Sequence, residues 1–351
     1  GSPPARAMKK LRVLVLMHDD LVPPETVEGY SDKEIAKWAT EYDVLAGIEE
    51  LGHEVITLGV GSDLGVIRAA ITQHDPHVTF NLLVHFHGVA VYDMHVVSYL
   101  ELLRRPYTGC NPRGMMLARD KALSKQIMAA HRIRAPKFHV FPRGRRPRKP
   151  RRLAYPLLVK SVNEEASLGI SQASVVTTDE KLVERVTFMH ETFGVDAIAE
   201  EFIEGRELYV GVLGNQRLQT LPVWELPFDK LPEGTHHIAT AKLKWDIDYQ
   251  QKYKIRTRRA KDLSEAQEKE IAHIAKRVYR ALGLSGYARM DLRLREDGRV
   301  FVLEANPNPE VKYGEDFAES AEFAGIRYSH LLQRLLTLGM SYQAEWKKAE
   351  E

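Results

Sequence analysis

Cysteine is nearly absent from this chain: its 351 residues contain one, Cys110. An internal disulfide is therefore impossible, and a zinc site built from several thiolates is excluded. A reducing compartment suits that composition without being required by it. Long hydrophobic runs are also missing, and no apolar stretch approaches the roughly 18–20 residues that a membrane-crossing helix needs. The net charge is only +2, too small to argue for a nucleic-acid partner. What is present is ordinary for a soluble globular protein, with 44% hydrophobic and 28% charged residues. The length fits two or three domains of roughly 100–150 residues each. Residues 1–7 are set aside as extraneous to the fold, and the chain from Met8 runs straight into a strand. The expectation is a cytoplasmic protein without a leader.

The first third alternates strands and helices. Leu11 to Met17 reads as a buried parallel strand, followed by a helix from Asp32 to Leu51 that Gly52 closes. A strand from His53 to Leu58, a helix from Leu64 to Gln73 and a strand from Val78 to Leu83 complete the pattern. Such alternation predicts a doubly wound parallel sheet, whose ligands gather at the carboxyl ends of the strands. A helix is expected from Asp120 to His131, carrying Leu123, Ile127 and Met128 on one face. The basic run Arg143 to Arg152 is either an anion patch or a solvated linker; its prolines prevent a regular helix, and the linker is the favoured reading. Beyond Tyr155 strands dominate, including a hairpin of Glu207–Leu213 and Gln216–Val223 around Gly214-Asn215. A long amphipathic helix spans Leu263 to Leu282, followed by strands at Gly286–Arg293 and Val300–Glu304 and a last helix near Tyr328–Leu338. This half reads as antiparallel α+β structure.

Three segments carry candidate chemistry. Arg289-Met290-Asp291-Leu292 precedes Val302-Leu303-Glu304-Ala305-Asn306-Pro307, so two neighbouring strands each present a carboxylate. Residues two apart on a strand share a face, which lets Glu304 and Asn306 point at one ion with Asp291 completing an all-oxygen set. Hard oxygen donors suit magnesium, and a carboxylate inside an apolar strand is costly unless paired or metal-bound. The second segment is Lys160, ending an apolar strand before the small-residue loop Ala166-Ser167-Leu168-Gly169-Ile170, a pattern that could cradle phosphate although it lacks the Walker spacing. The third, Ala199 to Leu208, places acidic residues around Phe202 and Ile203. Each of these last two, alone, is equally or better explained as surface charge.

Together the three segments resemble the ATP-grasp superfamily, and specifically the D-alanine–D-alanine ligases. Phe80-Asn81-Leu82-Leu83, Leu100 to Gly109 and Ala118 to Lys125 are also similar to that family, so the likeness runs from about Leu11 to Leu338. The resemblance implies an α/β ATP-grasp fold: an N-terminal doubly wound parallel-sheet domain for substrate (8–115) and two α+β subdomains gripping ATP (116–198 and 199–342). The last would hold the magnesium and catalytic residues. It implies that Lys121 and Lys160 contact the nucleotide, that Glu200 with the backbone of Glu201, Phe202 and Ile203 holds adenine, and that Glu207 holds the ribose. Asp248 to Tyr253 resembles a mobile loop that closes the site, with Lys252 on the γ-phosphate and Tyr253 meeting Ser167 near the first substrate. Arg289 matches the arginine that stabilises the acyl-phosphate and the tetrahedral intermediate, and Asp291, Glu304 and Asn306 match the ligands of Mg2+, for which Mn2+ is an alternative. The implied activity is an ADP-forming carbon–nitrogen ligase acting on small amino-acid or peptide substrates. A homodimer is implied by the resemblance alone, and no nucleic-acid or membrane partner is expected.

The departures concern substrate. His18 to Pro24 stands where the family has a glycine-rich segment with a glutamate, which Asp32 or Glu34 matches only loosely. After Asn306 the family has small residues and a serine that binds the second substrate's carboxylate; this chain has Pro309 to Glu315, and Glu310 and Glu315 are expected to disfavour a carboxylate there. His85 and His87, after the third strand, either position a substrate carboxylate or are polar loop residues. Two alternatives stay open: a ligase acting on a peptide or protein terminus, and a nucleotide-binding regulatory protein without catalysis.

Overall fold

A computed structural model describes residues 9–163 and 169–350. Ser167 and most of the expected phosphate-cradling loop lie outside the described residues. The chain clusters into two compact units, one of residues 1–109, 310–314 and 325–351, the other of residues 110–309 and 315–324. No helix among the described residues is long and apolar enough to cross a membrane.

The first unit holds a parallel sheet in the order β2-β1-β3, with β1 at Arg12–His18, β2 at Glu54–Val60 and β3 at Val78–Asn81. Val13 to Met17 are fully buried, as expected for a central parallel strand covered on both faces. The helix Asp32–Glu50 begins where the Ser31 hydroxyl accepts the Glu34 amide. The strand expected to reach Leu83 stops at Asn81 because the Asn81 side chain accepts the Leu83 amide at 3.1 Å, a local turn that ends the ladder.

The second unit contains two antiparallel sheets. One has the order β4-β7-β5-β6, with β4 at Phe138–Phe141, β5 at Leu157–Ser161, β6 at Val175–Val176 and β7 at Ala197–Glu201. Helix Asp179–Phe193 covers it, burying Leu182, Val186 and Met189. The other sheet has the order β11-β10-β8-β12-β13, with β9 added beside β8. Its strands are β8 at Arg206–Leu213, β9 at Gln219–Thr220, β10 at Trp224–Leu226, β11 at Arg258–Arg259, β12 at Tyr287–Leu294 and β13 at Val300–Pro307. The expected hairpin exists as β8 and β9, but the chain then continues into β10, which pairs with β8 further along. Helix Glu265–Ala281 starts at a Ser264–Gln267 capping box and buries Ile271, Ala275, Val278 and Tyr279 on one stripe.

One expectation needs correction. In helix Lys121–Ala130 the fully buried stripe is Lys121, Ser124, Lys125 and Met128, while Leu123 and Ile127 are only half-buried. The helix turns its lysines inward because buried acceptors await them, as described below. The segment expected as a mobile loop contains a short helix, Ile247–Tyr253, whose first turn is closed by the Asp246 carboxylate accepting the Tyr249 amide.

Candidate active site

The register of β12 and β13 builds the centre of the site. Asp291 lies opposite Glu304 and Arg289 opposite Asn306, so all four side chains share one face of the sheet. A bulge follows: Leu292 pairs with Val302, leaving Leu303 unopposed. The freed Leu303 carbonyl accepts the Lys125 ammonium at 3.0 Å. Arg289 donates to both oxygens of Asp291, at 2.8 and 2.9 Å, and to Asp316 Oδ2 at 3.2 Å. Its guanidinium lies 4.2 Å from the centre of the Tyr209 ring. Asn306 donates its amide nitrogen to the Arg289 carbonyl at 3.3 Å, which leaves the amide oxygen as the group able to face a cation.

The two facing carboxylates titrate in opposite directions. Burial, reinforced by the nearby Glu304, pushes Asp291 up to about 6 against the pull of Arg289. Burial also acts to raise Glu304, but Lys160, Lys121, Lys244 and Lys125 overcome it and hold that carboxyl at about 2. Like charges directly opposed on a sheet repel, and a divalent ion between them would relieve that repulsion. Two carboxylates and an amide oxygen are the donors magnesium prefers, so this set fits such an ion.

A second buried cluster stands on β5 and β7. Glu200 receives Lys125 at 2.6 Å on one oxygen and Lys160 at 3.0 Å on the other. The three side chains are 2%, 1% and 7% exposed, so a single carboxylate serves two desolvated ammonium groups. The imbalance is visible in their protonation. Burial lowers Lys125 and its ion pair only partly compensates, whereas at Lys160 Glu200, Glu304 and Asp291 together outweigh burial and raise it. For Glu200 burial acts upward, yet the two lysines win and keep it below the usual carboxylate range. Lys121 donates to the Ser161 carbonyl at 3.0 Å.

Between these clusters lies a cavity. Leu158, Ile170, Ile203, Ile238 and Leu303 supply apolar walls, and Lys160, Glu200, Glu207, Lys244, Asp291, Arg293 and Glu304 supply charge. Glu201 and Phe202 complete the wall at the end of β7. Glu207 is fixed by the Tyr209 hydroxyl at 2.7 Å and by Arg293 at 3.3 Å. Arg293 also donates to the carbonyls of Ile203, Gly205 and His237, which ties the β7–β8 turn to the segment lying over the cavity. That segment is secured again where Gln172 and His236 exchange bonds of 3.0 and 2.6 Å. The result is a slot that combines apolar walls with lysines and paired carboxylates, a lining suited to a nucleobase together with phosphates.

Of the residues singled out in the sequence, the structure gathers Lys160, Glu200, Glu201, Phe202, Ile203, Glu207, Asp291 and Glu304 around this one cavity. Arg289 and Asn306 adjoin it on the same strands. Lys252 and Tyr253 do not line it: Lys252 is exposed, with its ammonium 5.2 Å from the Tyr253 ring centre. His85, His87 and Glu310 belong to the first unit and Glu315 to the second. The His85 ring centre lies 4.2 Å from that of His18, the last residue of β1, with the two planes tilted by 45°, and burial, then His18, lowers the basicity of His85. His87 has φ +53° and donates its amide to Gly61. Glu310 accepts from the Thr40 hydroxyl at 2.6 Å. Glu315 precedes helix Asp316–Phe323 as its cap residue.

Sequence reasoning missed Lys125, Lys244, Arg293, Tyr209 and Asp316. A signal existed for three of them: Lys125 follows Lys121 by one helical turn, and Arg293 follows Asp291, as Tyr209 follows Glu207, by two strand positions, so each shares a face with a residue already identified. Nothing local marks Lys244 or Asp316, which reach the site only through tertiary packing.

Residues 127–337 match the family model described as the D-ala D-ala ligase C-terminus. A D-alanine–D-alanine ligase of Bordetella petrii is 33% identical over 255 residues, covering 71% of this chain and 73% of that protein. An uncharacterized protein, y4sG, of Sinorhizobium fredii is 30% identical over 302 residues, covering 84% and 85%. In fold, the chain resembles the Bacillus anthracis D-alanine–D-alanine ligase complexed with ATP, with a TM-score of 0.73 at 21% identity over 97% of this chain and 100% of that one. The chain belongs to the D-alanine–D-alanine ligase family of ATP-grasp, ADP-forming ligases.

Proposed function

We propose that this protein joins a carboxylate to an amine through an acyl-phosphate, using ATP and Mg2+, and that its acceptor is not free D-alanine. The observation that carries the reading is the single sheet face holding Arg289, Asp291, Glu304 and Asn306 beside a lysine-lined slot. In this reading adenine lies between Leu158, Ile203 and Leu303 against the backbone of residues 201–203, and Glu207 takes the ribose hydroxyls. Lys160, Lys121 and Lys244 neutralise the phosphates. Asp291, Glu304 and Asn306 would hold the magnesium, which supplies charge neutralisation when bound. The substrate carboxylate attacks the γ-phosphate, ADP leaves, and the amine then attacks the acyl carbon and expels phosphate. Arg289 faces the oxyanion that forms in that second step. The functional division into residues 8–115, 116–198 and 199–342 belongs to the same proposal, as do Ser167, Lys252 and Tyr253 on the closing side and His85 and His87 for substrate.

The acceptor argument is electrostatic. Arg289 already shares its charge between Asp291 and Asp316, and Glu315 adds a third carboxylate nearby in sequence. A bare amino-acid carboxylate docking on Arg289 would meet that negative charge. Release of ADP should therefore require both an acid and an amine, and D-alanine alone should support it poorly. Arg289→Ala should lower kcat by about 100–1,000-fold while leaving the dissociation constant for ATP within threefold or so. ADP release that is indifferent to added amine, or an Arg289→Ala enzyme of normal kcat, would defeat the reading.

A further inference from the structure

A second hollow in the same unit has no part in the nucleotide site. Lys230, Lys254, Arg256, Arg258 and Arg259 surround it, opposed only by Asp229 and Glu319, with Trp224, Pro227 and Thr257 completing the wall. Charged residues on an outer strand such as β11 commonly serve only to prevent edge-to-edge pairing. Three observations go further. The cations converge on a concavity rather than spreading along an edge. Trp224 forms part of its wall and is 6% exposed, and its indole Nε1 is buried without an acceptor among the described residues. Finally, the hollow is joined to the reaction centre by direct register.

Arg259 lies opposite Trp224, Trp224 opposite Tyr209, and Tyr209 opposite Asp291. These residues form one cross-strand row on the face that carries Asp291 and Glu304. Three strand spacings separate Arg259 from Asp291, about 14 Å. Helix Asp316–Phe323 makes the same connection: Asp316 binds Arg289, and Glu319, one turn later, lines the hollow and pairs with Arg256 at 2.9 Å. Arg259 packs its guanidinium 4.8 Å from the ring centre of Phe323 at that helix's end.

We propose that this hollow is a carboxylate subsite that receives the acidic far end of a short peptide whose amine reaches the reaction centre. The span of about 14 Å corresponds to roughly four extended residues, so the occupant is a small acidic peptide rather than a single amino acid. The pairing of this subsite with catalysis rests on the ligase reading above; its affinity for acidic peptides does not.

The test has two arms on the full chain. In the first, calorimetry measures triglutamate and triglutamine binding to the wild-type protein, to Arg258→Gln/Arg259→Gln and, as an independent variant, to Lys230→Gln. Triglutamate should bind at least tenfold more tightly than triglutamine, and both variants should lose that preference while retaining the wild-type thermal midpoint. Equal affinity for the two peptides in the wild-type protein overturns the proposal. In the second arm, ADP release is followed with glutamyl-peptide and alanine acceptors. A tenfold advantage in kcat/KM for the acidic peptide, lost in the double variant at unchanged KM for ATP, supports the coupling to catalysis. Triglutamate binding with no ADP release from any amine would refute the ligase reading and leave the subsite standing. Turnover of glutamyl-peptide and alanine acceptors with equal kcat/KM would leave the ligase chemistry standing and refute the coupling of this subsite to catalysis.

Discussion

Glu200 is the residue whose replacement tests the site's electrostatics most sharply. Its two oxygens hold Lys125 at 2.6 Å and Lys160 at 3.0 Å, all three groups removed from water. Glu200→Gln keeps the shape but removes the one carboxylate in direct contact with both buried ammonium groups. Removing one partner of a buried pair costs about 3–5 kcal/mol, and two cations share the loss here, so the upper end is expected. Against a total stability of roughly 5–15 kcal/mol, such a variant should be only marginally folded by itself. ATP phosphates would restore negative charge near Lys160. A ligand at a hundred times its dissociation constant adds about 2.7 kcal/mol to any protein that binds it only when folded, and the variant should gain more than the wild type if phosphates substitute for the carboxylate. Adding Lys125→Met to Glu200→Gln should recover part of the loss, because the more strained of the two lysines disappears. Urea unfolding with and without MgATP reads all three quantities. A loss under about 1 kcal/mol, the value of an exposed pair, would refute the buried-triad argument.

Two further outcomes follow from particular contacts. Burial raises Glu41 to about 7, with Glu310 and Asp43 adding to the effect against a backbone hydrogen bond. A carboxyl raised in the folded state favours folding below its ordinary range and loses that contribution as the pH climbs through its folded value. Stability of the wild type should therefore decline between about pH 4.5 and 7 by at most roughly 3 kcal/mol; denaturant midpoints across that range should flatten in Glu41→Gln, and parallel curves would contradict the assignment. Gly205, at φ +154°, leaves no room for a side chain, since a Cβ there would collide with the Leu294 carbonyl. Gly205→Ala should cost about 1–3 kcal/mol and raise KM for ATP more than it changes kcat, because the Gly205 carbonyl helps Arg293 hold the turn beside the slot. Steady-state kinetics with ATP varied would check it, and an unchanged KM would count against the slot as the nucleotide site.

The sequence by itself determined the parallel strands of the first unit, the long strands β8, β12 and β13 of the second and the identity of the paired carboxylates, but not the short strands β6, β10 and β11. Apolar runs such as Val13–Met17 and Val300–Val302 admit few alternatives once they must be buried, and a carboxylate inside one of them demands a partner. Strand periodicity also put Glu304 and Asn306 on one face, and Arg289 with Asp291 on one face, whereas the register of β12 with β13 brought the two pairs together. The tertiary structure alone decided which charges meet. Helix Lys121–Ala130 shows why: its apolar residues point to one stripe as the core face, yet it buries Lys121 and Lys125 instead. Glu200 lies 75 positions beyond Lys125 (200 − 125), and the Leu303 carbonyl is freed only by a bulge in the pairing of β12 with β13. Local pattern records a side chain's preference for water, whereas the compensating partner is supplied by strands that come together only on folding.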